Sequence, residues 1–225
     1  MSKNITLAFD VYGTLIDTNG VVDLLKTMVG DKAKSFAQTW RDKQLEYSFR
    51  RAAMINYVSF AVCTTQALEY TCLYYKEQLT QKQKDELLAI YKVLPAFDEV
   101  NKALTILKEK GYRLYAFSNG QSSAVELLLE HAGIKDLFVG IVSVDDIKTF
   151  KPSPGAYAHF LRSSEVKGEE SWLISSNPFD VTGAISSGMK SAWIKRSSES
   201  IFDPWEIQPT FIVNSLLDFA NKISK

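Results

Sequence analysis

Cysteine and histidine are scarce in this chain, two of each in 225 residues. Cys63 and Cys72 fit neither a disulfide framework nor a metal-ligand spacing, so both read as buried free thiols. An excess of either charge is also missing: 26 Lys and Arg face 26 Asp and Glu, which argues against a general nucleic-acid or membrane surface. No apolar run approaches the roughly 20 residues that cross a bilayer, and Met1 is not followed by a basic and then apolar leader. The expectation is a cytoplasmic protein with no nucleic-acid or membrane partner. No repeat and no low-complexity segment interrupts the chain. What is present is a 46% hydrophobic composition, enough to bury a sizeable core as one domain with an insertion or as two small domains.

The stretch from Ile5 to Asp17 opens as a near-continuous apolar run, Ile5-Thr6-Leu7-Ala8-Phe9, and stops at Asp10. Such a run reads as a strand buried on both faces in a parallel sheet. An ionised carboxylate at the end of a central strand is costly unless cations or hydrogen bonds compensate it, and open α/β sheets place their ligands at this edge. Asp10 is thus the candidate reacting group, with an Asx turn leading into Gly13 as the alternative.

Beyond Thr14 a long helical region is predicted, from about Val21 to Tyr91, closed by Leu94-Pro95. Its second helix, about Asp31 to Met54, carries Phe36, Trp40, Tyr47 and Met54 near one face and Arg41, Leu45 and Ser48 on another stripe. Helices follow at about Val62 to Gln78 and from Thr80, where Thr80-x-x-Gln83 is a capping box. The aromatics Tyr57, Phe60, Tyr70, Tyr74, Tyr75 and Tyr91 are assigned to the core, with a dimer surface as the alternative for some. From Phe97 onward helix and strand alternate. Helices are expected at 98–110, at 121–132 with a Ser123-x-x-Glu126 box, at 154–163 and after Pro178. Strands are expected at 113–117, 141–144, 172–174, about 191–195 and 210–213, with a last helix at the end. This alternation predicts a doubly wound, Rossmann-like parallel sheet formed by residues 1–16 and 95–225, with residues 17–94 as an all-helical cap inserted after the first strand.

In this topology the polar residues that end successive strands meet at one crevice: Asp10, Thr14, Ser118, Asn119, Lys151, Ser175, Asn177 and Asp180. Taken singly, each has a bland explanation as a turn, a solvated loop or a helix first turn. Together they share one sheet edge.

Four segments carry a resemblance: Phe9-Asp10-x-Tyr12-Gly13-Thr14-Leu15, Ser118-Asn119-Gly120, Lys151-Pro152-x-Pro154 and the distal Asp180. They are similar to the four motifs of the haloacid dehalogenase superfamily. Trp40-Arg41-x-Lys43-Gln44-Leu45-Glu46-Tyr47 and Ser175-Ser176-Asn177-x-Phe179-Asp180 further resemble its L-2-haloacid dehalogenase branch, over nearly the whole chain. The residues agree independently. A phosphatase on this scaffold needs a proton donor two residues after the nucleophile, and Tyr12, with an unperturbed pKa near ~10, suits that role poorly. Ser175-Ser176 replaces the Gly-Asp that helps hold magnesium, so a hard divalent cation lacks charged oxygen ligands and no metal or cofactor is expected. Lys151 remains as countercharge; at about 4 Å and an effective dielectric of about 20 one ammonium is worth roughly 4 kcal/mol to a carboxylate.

The resemblance implies covalent catalysis on a small 2-haloacid and water, with Asp10 as nucleophile and Lys151, Asp180, Thr14, Ser175 and Asn177 around it. Asp180 either orients Lys151 or activates the water. By the same resemblance Arg41 and Asn119 stabilise the leaving halide, Ser118 helps hold the substrate carboxylate, and Tyr12, Leu45, Phe60 and Phe179 line an apolar pocket. Tyr157 is a hydroxyl donor near Lys151, with simple packing as its alternative. Read without the resemblance, Arg41 is a surface charge. Asp42 is expected to point outward, His131 to complement a helix end, and His159 to lack a partner. A homodimer through the cap helices is expected. The alternatives are a phosphatase of the same superfamily and a non-catalytic scaffold that keeps the fold.

Overall fold

The computed structural model describes residues 5–224. Among them, β1 (Thr6–Phe9) is followed by helices α1 (Asn19–Val29), α2 (Ala33–Ala53), α3 (Phe60–Tyr75), α4 (Gln81–Ala89) and α5 (Val100–Glu109). The chain continues through β2 (Arg113–Ser118), α6 (Ser122–His131), β3 (Gly140–Ser143), α7 (Pro154–Ser163), β4 (Ser171–Ser175), α8 (Pro178–Ser186), β5 (Lys190–Ile194), β6 (Phe211–Val213) and α9 (Leu216–Ile223).

The strands form one parallel sheet in the order β3-β2-β1-β4-β5-β6. The order reverses between β1 and β4, and the crevice beyond their carboxyl ends is where such sheets take ligands. Every residue of β1 is buried because the sheet is covered on both sides. Leu7 and Phe9 pack with residues of α5, α6 and α9, whereas Ala8 packs with those of α7 and α8. Pairing of Phe9 with Ala116 and Ile174 brings Asp10, one residue further, level with Phe117 and Ser175. The Asp10 amide donates to the Ile174 carbonyl at 3.0 Å, extending the ladder by one bond.

The apolar cluster on the α5 and α9 side runs on through Leu15, Val21, Phe36, Trp40 and Leu68. The helical stretch is thus anchored to the sheet by a continuous buried surface. Several local expectations need correction. Helix α2 buries Ala33, Phe36, Trp40, Gln44 and Ser48, so Ser48 belongs to the inner stripe and Met54, beyond the helix end, is exposed. A stripe repeating at four residues lies under the cap's neighbour α3, and Gln44 and Ser48 are small or polar enough to be satisfied there by hydrogen bonds. Helix α3 begins earlier than expected because Ser59 caps it, accepting from the Val62 amide, and it ends early at Lys76 in the left-handed region. The Thr80–Gln83 capping box forms. The Ser123 box does not: Ser123 lies inside the first turn of α6, whose cap position is Gln121 without a side-chain bond. His159 does have neighbours, Ser163 Oγ at 3.4 Å and Asp146 at 3.7 Å. No helix of the described residues is long and apolar enough to cross a membrane.

Candidate active site

Asp10 ends the central strand, and its two carboxylate oxygens have different partners. Oδ1 accepts from Lys151 Nζ at 2.8 Å. Oδ2 accepts from Asn177 Nδ2 at 2.8 Å, Thr14 Oγ1 at 3.1 Å and Ser175 Oγ at 3.2 Å. The two hydroxyls are aimed by the backbone. Thr14 Oγ1 accepts from the Ser176 amide at 2.9 Å and Ser175 Oγ from the Asn177 amide at 3.1 Å, so each has its own proton left for Asp10.

Lys151 is 1% exposed and uses all three of its protons, the others going to Asp180 Oδ2 at 2.6 Å and the Phe117 carbonyl at 3.1 Å. Its own amide donates to Asn119 Oδ1 at 2.9 Å, which fixes the Asn119 amide and leaves Nδ2 as the end presented to the site. Asp180 is completed by Tyr157, whose hydroxyl donates to Oδ1 at 2.9 Å. Tyr157 reaches it because residue 183 is glycine; a Cβ there would come within 2.7 Å of the Tyr157 ring.

Two carboxylates share one ammonium, and their surroundings set them apart. Burial works to raise both. Asp10 is nevertheless held below the ordinary carboxylate range by the charge and hydrogen bond of Lys151, the charge of Arg41 and the bond from Asn177. Asp180 is pushed up to about 6 by burial and by the Asp10 charge, against the pull of Lys151. Asp10 therefore keeps its negative charge at neutral pH. Lys151 stays charged because the two carboxylates outweigh its burial.

The predicted residues fall into three groups by position. An inner cavity of about 20 Å³ is lined by Asp10, Lys151, Ser118, Asn119 and Asn177, and walled by Tyr12, Phe60, Phe179 and Arg41. Thr14, Ser175, Tyr157 and Asp180 lie behind Asp10 and reach it or Lys151 by hydrogen bonds. Leu45 is the one left out: it is half-buried on α2 and lines neither this cavity nor the larger one of about 980 Å³ outside it. It stands one turn from Arg41 on α2, and the wall beyond Arg41 toward α8 is made by Phe179, with Phe49 packed edge-on at 5.1 Å. Tyr12, Arg41, Phe60 and Asn177 border both cavities and so form the partition between them. Burial and the neighbouring Tyr91 push the Tyr12 hydroxyl up to about 12, which keeps it a neutral phenol. Asp42 points outward, bonded by Gln38 at 2.8 Å.

Three contributors were given no place in the site by the sequence. Gln44 holds Arg41, accepting from Nη1 at 2.7 Å. Ser176 fixes Thr14 from the backbone. Arg196 stacks on Phe97, donates to the Thr14 carbonyl and pairs with Glu99 at 2.5 Å, clamping the loop after Asp10. Among the described residues no group of three or more His, Cys, Asp or Glu is placed to hold a metal ion.

A doubly wound sheet with a strand-end Asp tied to a buried Lys, under a helical insertion, defines a hydrolase core of the haloacid dehalogenase type. The family model for haloacid dehalogenase-like hydrolases matches residues 6–188, and the chain belongs to that family. Haloacetate dehalogenase H-2 of Moraxella sp. (strain B) is 36% identical over 213 residues, covering 95% of each chain. The (S)-2-haloacid dehalogenase of Pseudomonas sp. (strain YL) is 33% identical, covering 93% of this chain and 90% of its own. The solved structure of L-2-haloacid dehalogenase from Xanthobacter autotrophicus with chloropropionic acid covalently bound matches with a TM-score of 0.91 at 28% identity, over 100% of this chain and 99% of that one.

Proposed function

We propose that this protein hydrolyses the carbon–halogen bond of short (S)-2-haloalkanoic acids, giving (R)-2-hydroxyalkanoic acids through an ester on Asp10. The observation that carries this reading is the ionised Asp10, surrounded by a lysine and three neutral donors and facing a cavity of only about 20 Å³. The names of the relatives, which act on haloacetate and (S)-2-haloacids, support the substrate class.

In the first step an Asp10 oxygen attacks C2 from the side opposite the halogen. The new C–O bond forms as the C–X bond breaks, halide leaves with the electron pair, and C2 inverts. No proton is needed. Arg41 and the Asn119 amide receive the halide, and Ser118 helps hold the substrate carboxylate. In the second step water adds to the Asp10 carbonyl, and the donors around the carboxyl stabilise the oxyanion. The acyl–oxygen bond then breaks, the departing alkoxide takes up the proton that the base removed from the water, and the hydroxy acid leaves with one water oxygen retained in the Asp10 carboxylate.

Only the second step needs a base, and Asp180 is suited to it by timing. While Asp10 is charged it raises Asp180 further than burial does alone; the ester is neutral, so that contribution vanishes and Lys151 opposes burial only. Forming the ester thereby favours ionised Asp180 when a proton has to be accepted.

The reading is metal-independent, supported by the chemistry of the donor set: the Asp10 oxygens are occupied by an ammonium and neutral donors, and Ser176 offers no charge. Residues 17–94 act as the cap over a core of 1–16 and 95–225 in a cytoplasmic enzyme, and the balance of 26 basic and 26 acidic residues supports the absence of nucleic-acid or membrane partners. Incubation with each enantiomer of 2-chloropropionate in excess chelator tests the reaction. Chloride release from the S form alone, with R-lactate as product, is expected; a magnesium requirement or turnover of an aryl phosphate instead would overturn it.

A homodimer through the cap belongs to the same proposal. Leu73 and Tyr74 on α3 are 79% and 63% exposed, next to Tyr70 stacked on Tyr74. Leu73→Asp is expected to sediment as a monomer where the parent sediments as a dimer; an unchanged sedimentation coefficient would move the interface elsewhere.

A further inference from the structure

Arg41 sits on the partition between the two cavities, yet its hold on the catalytic side is weak: Nη2 reaches Asn177 Oδ1 at only 3.4 Å. Its firm partner is Gln44, one turn on, at 2.7 Å. Gln44 is 4% exposed, unusual for a side-chain amide on a cap helix, and its orientation is determined by the bonds around it. Thr64 Oγ1 donates its proton to the Phe60 carbonyl at 2.8 Å, so toward Gln44 it can act only as acceptor. Gln44 must therefore turn Nε2 toward Thr64, at 2.5 Å, and present Oε1 to Arg41. The chain Arg41–Gln44–Thr64–Phe60 has one consistent direction of donation. It joins two walls of the inner cavity, Arg41 from α2 and Phe60 from the start of α3. Trp40 Nε1, donating to the Thr64 carbonyl at 2.9 Å, locks the same turn of α3.

From this geometry we infer that Gln44 and Thr64 are positioning residues that aim the Arg41 guanidinium at the departing halide and so set how well poor leaving groups are tolerated. The inference rests on the dehalogenase reading and on Arg41 as the halide partner. A neutral amide is well fitted to aim Arg41, because it orients the guanidinium without cancelling the charge that attracts an anion. Thr64 keeps the amide from rotating to offer its N–H₂ end to Arg41, which would repel it.

The test compares kcat/KM for (S)-2-chloropropionate and (S)-2-bromopropionate in Gln44→Met, Thr64→Val and Thr64→Ser. Loss of a hydrogen bond to a charged group is expected to lower the chloride value roughly tenfold to a hundredfold in Gln44→Met. The bromide value should fall less, because bromide departs with less help, so the bromide-to-chloride ratio rises at least about threefold. Thr64→Val should shift the ratio in the same direction, and Thr64→Ser, which keeps the hydroxyl, should restore it. Equal losses on both substrates, as general loosening of the cap would give, or no loss at all, would overturn the inference. Arg41→Lys separates the levels. If it shifts the ratio while Gln44→Met does not, the relay is refuted with the dehalogenase reading intact; if it leaves the ratio unchanged, Arg41 is not the halide partner and the inference falls with that assignment. A parent enzyme that releases no halide from either substrate would instead refute the dehalogenase reading itself.

Discussion

Lys151→Met will cost the protein both its activity and a large part of its stability. The side chain is 1% exposed and its ammonium meets Asp10, Asp180 and the Phe117 carbonyl at 2.8, 2.6 and 3.1 Å. Methionine fills similar volume but leaves two buried carboxylates side by side without a countercharge. Removing one partner of a buried ion pair typically costs about 3–5 kcal/mol, far more than an exposed pair is worth. With the lysine gone, burial dominates and Asp10 rises out of the low range that it holds now. It becomes a neutral acid over more of the working pH range, and a neutral carboxyl does not displace halide.

The pH dependence carries the sign of the effect. In the parent, the depressed Asp10 value adds stability above its unfolded value of 3.8, which is lost as pH falls through the folded value. In the variant the folded value lies above the unfolded one, so stability falls as pH rises through that interval. The difference in Tm between parent and variant is therefore expected to be small near pH ~4 and to widen toward pH ~8. Thermal unfolding followed by circular dichroism at both pH values measures this. A loss of the same size at each pH would mean that Lys151 contributes packing and not charge.

Asp10→Asn is the second large effect, and it separates chemistry from folding. The amide keeps the shape of the carboxylate but has no anionic oxygen to form the ester, so halide release is expected to fall by at least ~10⁴-fold. Stability should change far less than in Lys151→Met. Lys151 keeps Asp180, and Asp180 loses the neighbouring charge that, added to burial, pushes it up to about 6. The hydroxyls of Thr14 and Ser175 can rotate away from a new N–H₂ group. Retention of full dehalogenase activity would remove Asp10 from the reaction, and an unchanged biological role without dehalogenation would favour the non-catalytic scaffold.

The strand pattern was legible because the central strands β1, β2 and β4 are covered on both faces and so read as apolar runs that end at a polar residue. Asp10, Ser118, Ser175 and the residues around them follow from those endings and the resemblance together. The misreadings concentrate where a tertiary neighbour decides. Ser48 and Gln44 look like surface residues on α2 and are buried because α3 supplies their hydrogen-bond partners or covers them. Gln44 had a signal: it stands four residues after Trp40 and four before Ser48, on the stripe that starts at Ala33 and Phe36. Leu45 was drawn into the pocket by resemblance alone; it stands one turn from Arg41 on the same side of α2, but the wall beyond Arg41 is made by Phe179 of α8. Arg196 had no local signal, since its partners Glu99 and Thr14 are distant in sequence and meet it only across the folded sheet. The Ser123 box failed because the same sequence pattern fits a cap and a first turn equally well, and Gln121 takes the extended cap conformation.

The most direct measurement of the central claim is a single turnover with enzyme in excess over (S)-2-chloropropionate in heavy-oxygen water, followed by mass spectrometry of lactate and of the peptide that contains Asp10. An aspartyl ester opened at its carbonyl predicts heavy oxygen in the Asp10 carboxyl and none in the lactate hydroxyl of that first cycle. Heavy oxygen in the lactate with Asp10 unlabelled would contradict it, since water itself would then have displaced the chloride.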